Sequence, residues 1–320
     1  MKISVVIPTY NRPGLLRNCL EALLSQTLGK TDYEIIVVSD GPDQRTRELV
    51  RSLTADSPSR IRFFPPARKG GPAAARNLGW IQAAAELIAF TDDDTVPDRN
   101  WLTSIWNHYD HETLIAFTGR VIVPLPSPPT DYERNVFNLE TAEFVTANCV
   151  CTKSALIRVG GFDERFRMAW REDSDLHFKL LQHQIPIKRI HAVVIHPVRE
   201  APWGISIREQ RKGVFNALLY KKYPRLYRQR IKPVPSWNYY LMLFSFLTIP
   251  PALILGRNDI ALGAFIVWMG LLSAFIRKRL KETSRSPEHV AEIIVTSIAI
   301  PFAALYWQYY GAWKYRVLFI

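Results

Sequence analysis

The stretch Leu87-Ile88-Ala89-Phe90-Thr91-Asp92-Asp93-Asp94 places three carboxylates directly after a short apolar run. Four consecutive apolar residues bounded by polar ones are typical of a strand that is buried on both faces, as in a parallel sheet. Three adjacent carboxylates repel one another unless a cation lies among them, and a divalent metal that holds a diphosphate is one such cation. A solvated turn is the alternative, because Asp favours turns and helix starts for local reasons.

Strands and helices alternate on both sides of this stretch. Strand patterns precede it at residues 3–7, 33–38 and 61–64, and each is followed by a polar loop and a helical pattern. Further strands are predicted at 114–123 and 187–195. This order predicts an α/β fold with a Rossmann-like, mostly parallel sheet, whose ligand crevice lies at the carboxyl ends of the strands.

The charge of the chain is unevenly distributed. Through residue 200, Lys and Arg number 24 and so do Asp and Glu, so the net charge of +12 lies entirely in residues 201–320. This pattern is unlike that of a nucleic-acid-binding protein, and we predict no nucleic-acid partner. The three cysteines form no Cys-x-x-Cys pair, which predicts neither disulfides nor structural zinc. The first residues read as a strand and not as a signal peptide, so we expect the catalytic part to stay in the cytoplasm.

Six motifs stand out over about residues 1–200. They are Ser4-Val5-Val6-Ile7-Pro8-Thr9-Tyr10-Asn11-Arg12, Val37-Val38-Ser39-Asp40-Gly41, Gly71-Pro72-Ala73-Ala74-Ala75-Arg76-Asn77-Leu78-Gly79, Phe90-Thr91-Asp92-Asp93-Asp94, Gly160-Gly161-Phe162-Asp163-Glu164 and Glu172-Asp173-Ser174-Asp175-Leu176. In order and spacing they resemble the motifs of glycosyltransferase family 2, the inverting enzymes with a GT-A fold. The resemblance implies a GT-A, nucleotide-diphospho-sugar transferase domain that takes a nucleotide-sugar donor and a divalent metal, Mg or Mn.

The resemblance assigns a donor-binding role to residues of the first four motifs. Asp40 would pair with the base edge, although Ser39 stands where the family usually has a second acid, which leaves the base open. Arg76 would hold phosphate or ribose oxygens in the fork of its guanidinium. A simple turn at Asp40 and a surface arginine at Arg76 are the alternatives. The donor-binding residues implied are Pro8, Thr9, Tyr10, Arg12, Asp40, Arg76, Asp92 and Asp93.

The metal site is assigned to the outer acids of the Asp triplet. Asp92 and Asp94 match the family's DXD element, and His196, after the last strand, would complete the metal shell. His191 competes with His196 for that role, and a histidine with a purely structural role is a further alternative.

The first turn of a predicted helix carries the proposed catalytic acids. The resemblance assigns Asp173 as the base that takes the acceptor's proton, with Glu172 orienting the base or the acceptor. Trp170 and Arg171, directly upstream, would form the acceptor side of the sugar pocket. Acidic residues that simply complement the helix dipole are the alternative.

The last third of the chain is basic and apolar. Nine Lys or Arg are interleaved with aromatic residues over 203–232, which predicts an amphipathic helix on an anionic membrane. Three apolar stretches follow at 239–255, 260–276 and 290–309, each about long enough to cross ~30 Å of hydrocarbon. Basic residues after the second stretch predict a cytoplasmic loop there. The third stretch reads either as a span or as an interfacial or re-entrant helix, and a soluble helical bundle is the general alternative.

These observations predict three parts: a catalytic domain over 1–200, a basic juxtamembrane segment over 201–237 and a transmembrane region of about three helices over 238–320. We expect a multi-pass glycosyltransferase of the cytoplasmic membrane that contacts membrane lipids. Its acceptor would be a glycan or a polyprenyl-linked molecule, such as a precursor of a cell-envelope polysaccharide. The alternatives are an inactive nucleotide-sugar-binding membrane scaffold and a sugar nucleotidyltransferase.

Overall fold

The computed structural model describes residues 1–55 and 60–319 of the chain. It contains two compact units. The first consists of Met1–Pro124 and Phe137–Val198, and the second of Leu125–Val136 and Arg199–Ile320. The assignment of the excursion Leu125–Val136 to the second unit was not predicted from the sequence, and the three-part division at residues 200 and 237 stays a prediction.

The first unit alternates strands and helices along most of its length. The predicted strands near residues 3, 33, 61, 87, 114 and 187 are all present, and two short ones, β5 and β7, are added. The elements are β1 (Ile3–Thr9), α1 (Pro13–Leu24), β2 (Tyr33–Ser39), α2 (Gln44–Ala55), β3 (Arg60–Phe64), α3 (Pro72–Gln82), β4 (Leu87–Phe90), β5 (Val96–Pro97), α4 (Trp101–Asn107), β6 (Ala116–Ile122), α5 (Asp131–Phe137, mostly in the second unit), β7 (Cys149–Thr152), α6 (Lys153–Val159), α7 (Glu172–Gln182) and β8 (Ile187–Ile195).

One mixed sheet runs through this unit. Among the described residues it has eight strands in the order β3-β2-β1-β4-β7-β6-β8-β5. The pairs β1–β2, β2–β3, β1–β4 and β6–β8 are parallel, as predicted. The strand β7 pairs antiparallel with both β4 and β6, and β5 pairs antiparallel with β8. The α/β fold with a mostly parallel sheet is therefore confirmed.

The sheet is buried on both faces, because apolar residues of each strand point alternately to either side. On β1, Ile3, Val5 and Ile7 join one hydrophobic cluster with residues of α1 and α4. Val6 points the other way and joins a second cluster with Trp80 of α3. Helices therefore cover both faces, and this leaves the carboxyl edge of β1, β2 and β4 as the place where polar loops gather.

The second unit is helical. Its first part has three short helices, α8 (Ile205–Glu209), α9 (Val214–Lys222) and α10 (Pro224–Arg230), where the sequence suggested a single amphipathic helix. The break between α9 and α10 has a simple cause, because Pro224 has no backbone N–H and cannot continue α9. The long helices α11 (Trp237–Ile254), α12 (Asn258–Arg279) and α13 (Pro287–Lys314) are each long and apolar enough to cross a membrane.

Candidate active site

The Asp triplet forms a turn directly after β4. The Thr95 backbone N–H and hydroxyl both donate to the Asp92 carbonyl oxygen, at 3.3 and 2.7 Å, and the Thr95 hydroxyl also lies 2.7 Å from that of Thr91. The two readings of the triplet, turn and metal site, are thus compatible. The turn holds the three carboxyl groups in fixed directions at the edge of the sheet.

Asp92 and Asp94 lie beside His196. One ligand atom from each of the three side chains falls within 4.8 Å of the other two. His196 follows β8 and its backbone N–H donates to the Ile122 carbonyl at 2.8 Å, while its Nε2 lies 3.6 Å from Asp94 Oδ1. The competing His191 is exposed on β8.

The donor set of this cluster fits a divalent metal. Two ligands of one Mg or Mn ion lie about 3–4 Å apart, since each bond is ~2.1 Å long. In the cluster the three ligand atoms lie within 4.8 Å of one another, and the His196 Nε2–Asp94 Oδ1 distance is 3.6 Å. Two carboxylates and an imidazole also have the oxygen-rich chemistry that these ions prefer. The His196 Nδ1 atom is buried and has no hydrogen-bond partner among the described residues.

Asp93 points away from this cluster and organises the loop after β1. The Thr9 hydroxyl donates to Asp93 Oδ2 at 2.7 Å, and the Arg12 guanidinium lies 3.4 Å from Asp93 and 3.8 Å from Asp94. Burial and the adjacent Asp94 charge raise the pKa of Asp93 to about 6, although Thr9 and Arg12 act in the opposite direction. The middle acid therefore joins two loops that are far apart in sequence.

Asp40 holds the start of α3. Its Oδ1 atom accepts hydrogen bonds from the backbone N–H groups of Gly70 and Gly71, at 2.8 and 2.7 Å. Gly71 has φ +93, and a Cβ at this position would lie 2.7 Å from the Arg167 carbonyl oxygen. Only glycine fits there, because the conformation is left-handed and the approach of the second chain is close. The base-pairing role of Asp40 stays a prediction.

Two residues of the loops around the donor side, Lys69 and Asp43, were not predicted from the sequence. Lys69 lies over the Tyr10 ring, with Nζ 3.7 Å from the ring centre. Asp43 caps α2 by accepting from the Thr46 amide at 3.0 Å, and it also accepts from the Asn11 amide at 2.9 Å. The only signal for Asp43 was its place before a helix, where Asp is a common cap.

Arg76 is buried between two carboxylates. Its Nη2 donates to Asp92 Oδ1 at 2.6 Å and its Nη1 to Glu172 Oε1 at 3.2 Å. The sequence places Arg76 at the start of a helix but does not reveal either partner. The predicted contact of Arg76 with phosphate or ribose oxygens stays a prediction.

The start of α7 carries Glu172 and Asp173. Asp173 is half-buried, and its Oδ1 accepts from the Ser174 amide at 2.6 Å and from the Ser174 hydroxyl at 3.2 Å. Burial raises the pKa of Glu172 to about 7, although the Arg76 guanidinium acts in the opposite direction. The adjacent charge of Asp173 also raises the pKa of Glu172.

The residue before α7 has unusual backbone geometry. Arg171 adopts φ +73, a left-handed conformation that is uncommon for residues other than glycine. Its guanidinium lies 4.5 Å from the centre of the Trp170 ring. Such backbone conformations cluster at functional sites. The acceptor-side role of Trp170 and Arg171 stays a prediction.

Comparison with known proteins identifies the family. The model of the family described as Glycosyl transferase family 2 matches residues 4–169, just over half of the 320 residues. The chain belongs to glycosyl transferase family 2. Among relatives of this glycosyltransferase, AglE of Haloferax volcanii is 25% identical over 261 residues, covering 78% of this chain and 82% of AglE.

Further comparisons support the same family and fold. The validoxylamine A glucosyltransferase of Streptomyces hygroscopicus subsp. limoneus is 29% identical over 247 residues, and the match spans only about half of that enzyme, 52%, and 65% of this chain. A solved mannosyltransferase from Pyrobaculum calidifontis, in complex with GDP-Man and Mn2+, matches with a TM-score of 0.57 at 17% identity. That match covers 98% of this glycosyltransferase and 87% of the mannosyltransferase, and it shows the GT-A fold.

Proposed function

We propose that this glycosyltransferase is membrane-anchored, inverting and metal-dependent, and that it transfers one sugar from a nucleotide-sugar donor to a lipid-linked or polysaccharide-precursor acceptor at the cytoplasmic side of a membrane. The observation that carries the proposal is the cluster of Asp92, Asp94 and His196 at the edge of the sheet. The Pyrobaculum mannosyltransferase, solved with GDP-Man and Mn2+, supports a nucleotide-sugar donor and a divalent metal.

The three residues of the cluster would hold Mg or Mn. When bound, the ion neutralises the negative charge that grows on the diphosphate as it leaves. On the donor side, Thr9 and Arg12 are held in place by Asp93, and Asp40 keeps the Gly70–Gly71 backbone at the edge of the same sheet. Pro8 and Tyr10, which flank Thr9 in the same loop, would contact the donor as well.

Asp173 would act as the base. The acceptor hydroxyl oxygen forms a bond to the anomeric carbon while the bond from that carbon to the diphosphate oxygen breaks, and the bonding electrons leave with the nucleoside diphosphate. The hydroxyl proton passes to the carboxylate of Asp173, whose Oδ1 is oriented by Ser174. A single in-line displacement inverts the anomeric configuration. Glu172, Trp170 and Arg171 would orient the acceptor.

The helices α11, α12 and α13 would anchor the enzyme in the membrane. The last turn of α12 and the loop after it carry Arg277, Lys278, Arg279, Lys281 and Arg285, whereas the loop after α11 carries only Arg257. By the positive-inside rule, the more basic end would face the cytoplasm. A basic, anchored enzyme is suited to an acceptor that is itself held in the membrane, such as a polyprenyl-linked glycan. Equal transfer to water-soluble and lipid-linked acceptors would contradict this last step.

The experiment uses the full-length chain in detergent. UDP-, GDP- and dTDP-sugars are tested with and without Mn for a rise in the apparent melting temperature, because a ligand that binds only the folded state stabilises it by about 2.7 kcal/mol at 100 times its Kd. We expect one donor class to stabilise the wild type and the exposed-site control Asp110→Asn in a Mn-dependent way, and to lose this effect in Asp94→Asn. If no sugar nucleotide stabilises the wild type, the proposed function is wrong.

Turnover distinguishes the proposed enzyme from the two alternatives. An inactive scaffold would bind the donor but release no nucleoside diphosphate. A sugar nucleotidyltransferase would release pyrophosphate from a nucleoside triphosphate and a sugar phosphate. We expect release of nucleoside diphosphate from a sugar nucleotide.

A further inference from the structure

The guanidinium of Arg76 joins two separate acidic elements. The side chain of Arg76 is only 3% exposed, and its two terminal nitrogens face Asp92 at 2.6 Å and Glu172 at 3.2 Å. Asp92 belongs to the turn after β4, and Glu172 is the first residue of α7. A buried cation therefore lies between the proposed metal ligand and the helix turn that carries Asp173.

The residue after Arg76 is tied to the loop that carries Phe162. The next residue, Asn77, accepts from the Phe162 amide and donates to the Phe162 carbonyl, each at 2.9 Å. The Phe162 ring in turn lies 5.8 Å from the Arg76 guanidinium carbon. These contacts hold α3 against the loop that carries Phe162, and the guanidinium itself is oriented by its hydrogen bonds to Asp92 and Glu172.

The cluster has more acid than base and leaves polar atoms without partners. One guanidinium faces two carboxylates, and Arg76 Nε and Glu172 Oε2 are buried with no hydrogen-bond partner in the described part of the chain. Unpaired polar groups in the protein interior are destabilising, so their presence requires an explanation other than stability. Positioning of catalytic groups is such an explanation.

We propose that Arg76 is a positioning residue that holds the Asp92 turn and the first turn of α7 together, so that Asp173 faces the donor bound at Asp92. This inference rests on the proposed function, because Asp92 and Asp173 have these roles only in that reaction. It differs from direct donor binding, since both terminal nitrogens of Arg76 already face carboxylates and little of the side chain is open to a phosphate.

The test separates turnover from donor binding. In the full-length chain, kcat and the donor KM are measured from nucleoside diphosphate release with Mn and whichever UDP-, GDP- or dTDP-sugar is turned over fastest. We expect Arg76→Gln to lower kcat about 100-fold, as a displacement of ~1 Å does, and to leave the donor KM within about threefold. A donor KM that rises more than about tenfold with kcat unchanged would show that Arg76 binds the donor and would overturn the proposal.

Two further variants sharpen this test. Arg76→Lys keeps the charge but lacks the planar fork that reaches two carboxylates at once, so we expect it to be nearly as slow as Arg76→Gln. Recovery of the wild-type kcat by lysine would contradict a bridging role. Arg62→Gln is the matched control, because Arg62 also pairs with a buried carboxylate, that of Glu34 at 3.2 Å, but on β3. Its kcat is expected to stay near that of the wild type.

A double-mutant cycle tests the interaction of Arg76 with Glu172 without relying on turnover. The apparent melting temperature is measured for Arg76→Gln, Glu172→Gln and the double variant. If Arg76 and Glu172 act as a unit, the double variant loses less stability than the sum of the two single variants. Additive losses would overturn the link. Absence of nucleoside diphosphate release by the wild type would instead contradict the proposed function, and the cycle would still establish or refute the link.

Discussion

Two buried arginines, one in each unit, have opposite environments. Arg76 in the first unit faces two carboxylates and leaves its Nε without a partner. Arg279, at the end of α12 in the second unit, faces one carboxylate, that of Asp131, with Nε at 3.3 Å and Nη2 at 2.7 Å. Its Nη1 donates to the hydroxyls of Thr296 at 2.8 Å and Ser297 at 2.9 Å.

The difference indicates a stabilising role for the Arg279 cluster and a functional role for the Arg76 cluster. Around Arg279 the charges balance, and every guanidinium nitrogen has a hydrogen-bond partner, as expected of a group that stabilises the packing of α12, α13 and the excursion Leu125–Val136. Around Arg76 two carboxyl groups face a single guanidinium, and polar atoms are unpaired. Natural proteins depart from full polar satisfaction mainly where function requires it.

The largest effect is expected for a substitution of Asp173, which is adjacent to Glu172 of the Arg76 cluster. Asp173→Asn removes the group that would accept the acceptor proton, so the rate of transfer should fall about 100- to 10,000-fold, the usual contribution of a general base. The stabilisation by donor and Mn should be unchanged, because Asp173 is not among the predicted donor or metal ligands. Nucleoside diphosphate release and the melting temperature are measured in parallel, with Asp110→Asn as the control. Equal rates in Asp173→Asn and the wild type would exclude Asp173 as the base.

A substitution in the Arg279 cluster should lower the stability of the protein and leave donor binding unchanged. Arg279→Met leaves the Asp131 carboxylate without its cation, and removal of one partner of a buried pair costs about 3–5 kcal/mol. We expect the lower end of that range, about 3 kcal/mol, because Asp131 is 25% exposed. The measurement is thermal unfolding in detergent, followed by circular dichroism.

A matched control lies at the other end of the same helix. Arg257 pairs with Asp259 at 3.0 Å, but both side chains are exposed. Arg257→Met should therefore change the stability by less than about 1 kcal/mol. Similar losses in Arg279→Met and Arg257→Met would show that the Arg279 cluster does not stabilise the unit.

Among the buried charged groups, the smallest expected effect concerns Glu34, whose carboxylate pairs with Arg62 outside both clusters. Burial tends to raise the pKa of Glu34, but hydrogen bonds from the Ala84 amide, the Ser4 hydroxyl and Arg62 outweigh it and hold the pKa below 4.5. A lowered pKa in the folded state means that this stabilisation is complete well above pH 4.5 and is lost as the pH falls through the folded-state value.

Glu34→Gln should consequently cost about 1.5–3 kcal/mol near pH 7, the contribution of a hydrogen bond to a charged group. The loss should shrink as the pH is lowered, because the wild-type carboxyl group becomes protonated as well. Thermal unfolding from pH 3.5 to pH 7 tests this. A difference between the two proteins that stays constant with pH would contradict the assignment.

Most of the first unit was predictable because its signals are local. The strands β1, β2 and β4 are uninterrupted apolar runs, and the polar residues after them had to gather at one edge once the strands were parallel. The strand β7 was missed, because its four residues become a strand only by pairing with β4 and β6, which are distant in sequence. The mixed character of the sheet follows from this insertion and from the short strand β5, which pairs antiparallel with β8.

The sequence predicted which residues form the candidate site, but not which of these residues contact one another. Motif spacing pointed to Asp92, Asp94, Asp173 and the alternatives His196 and His191, yet it left the choice between the histidines open. The fold places His196 beside Asp94 and leaves His191 exposed on β8. The partners of Arg76 also depend on how α3, the turn after β4 and the start of α7 pack together.

The sequence by itself determined the family, the order of the main strands and helices, and the acids that carry the proposed chemistry, because apolar periodicity and motif spacing are properties of neighbouring residues. Only the tertiary structure decided that the triplet's middle acid serves Thr9 and Arg12, that Asp40 anchors the start of α3, and that Arg76 lies between Asp92 and Glu172. Those contacts join residues far apart in the chain, and burial gives them their strength.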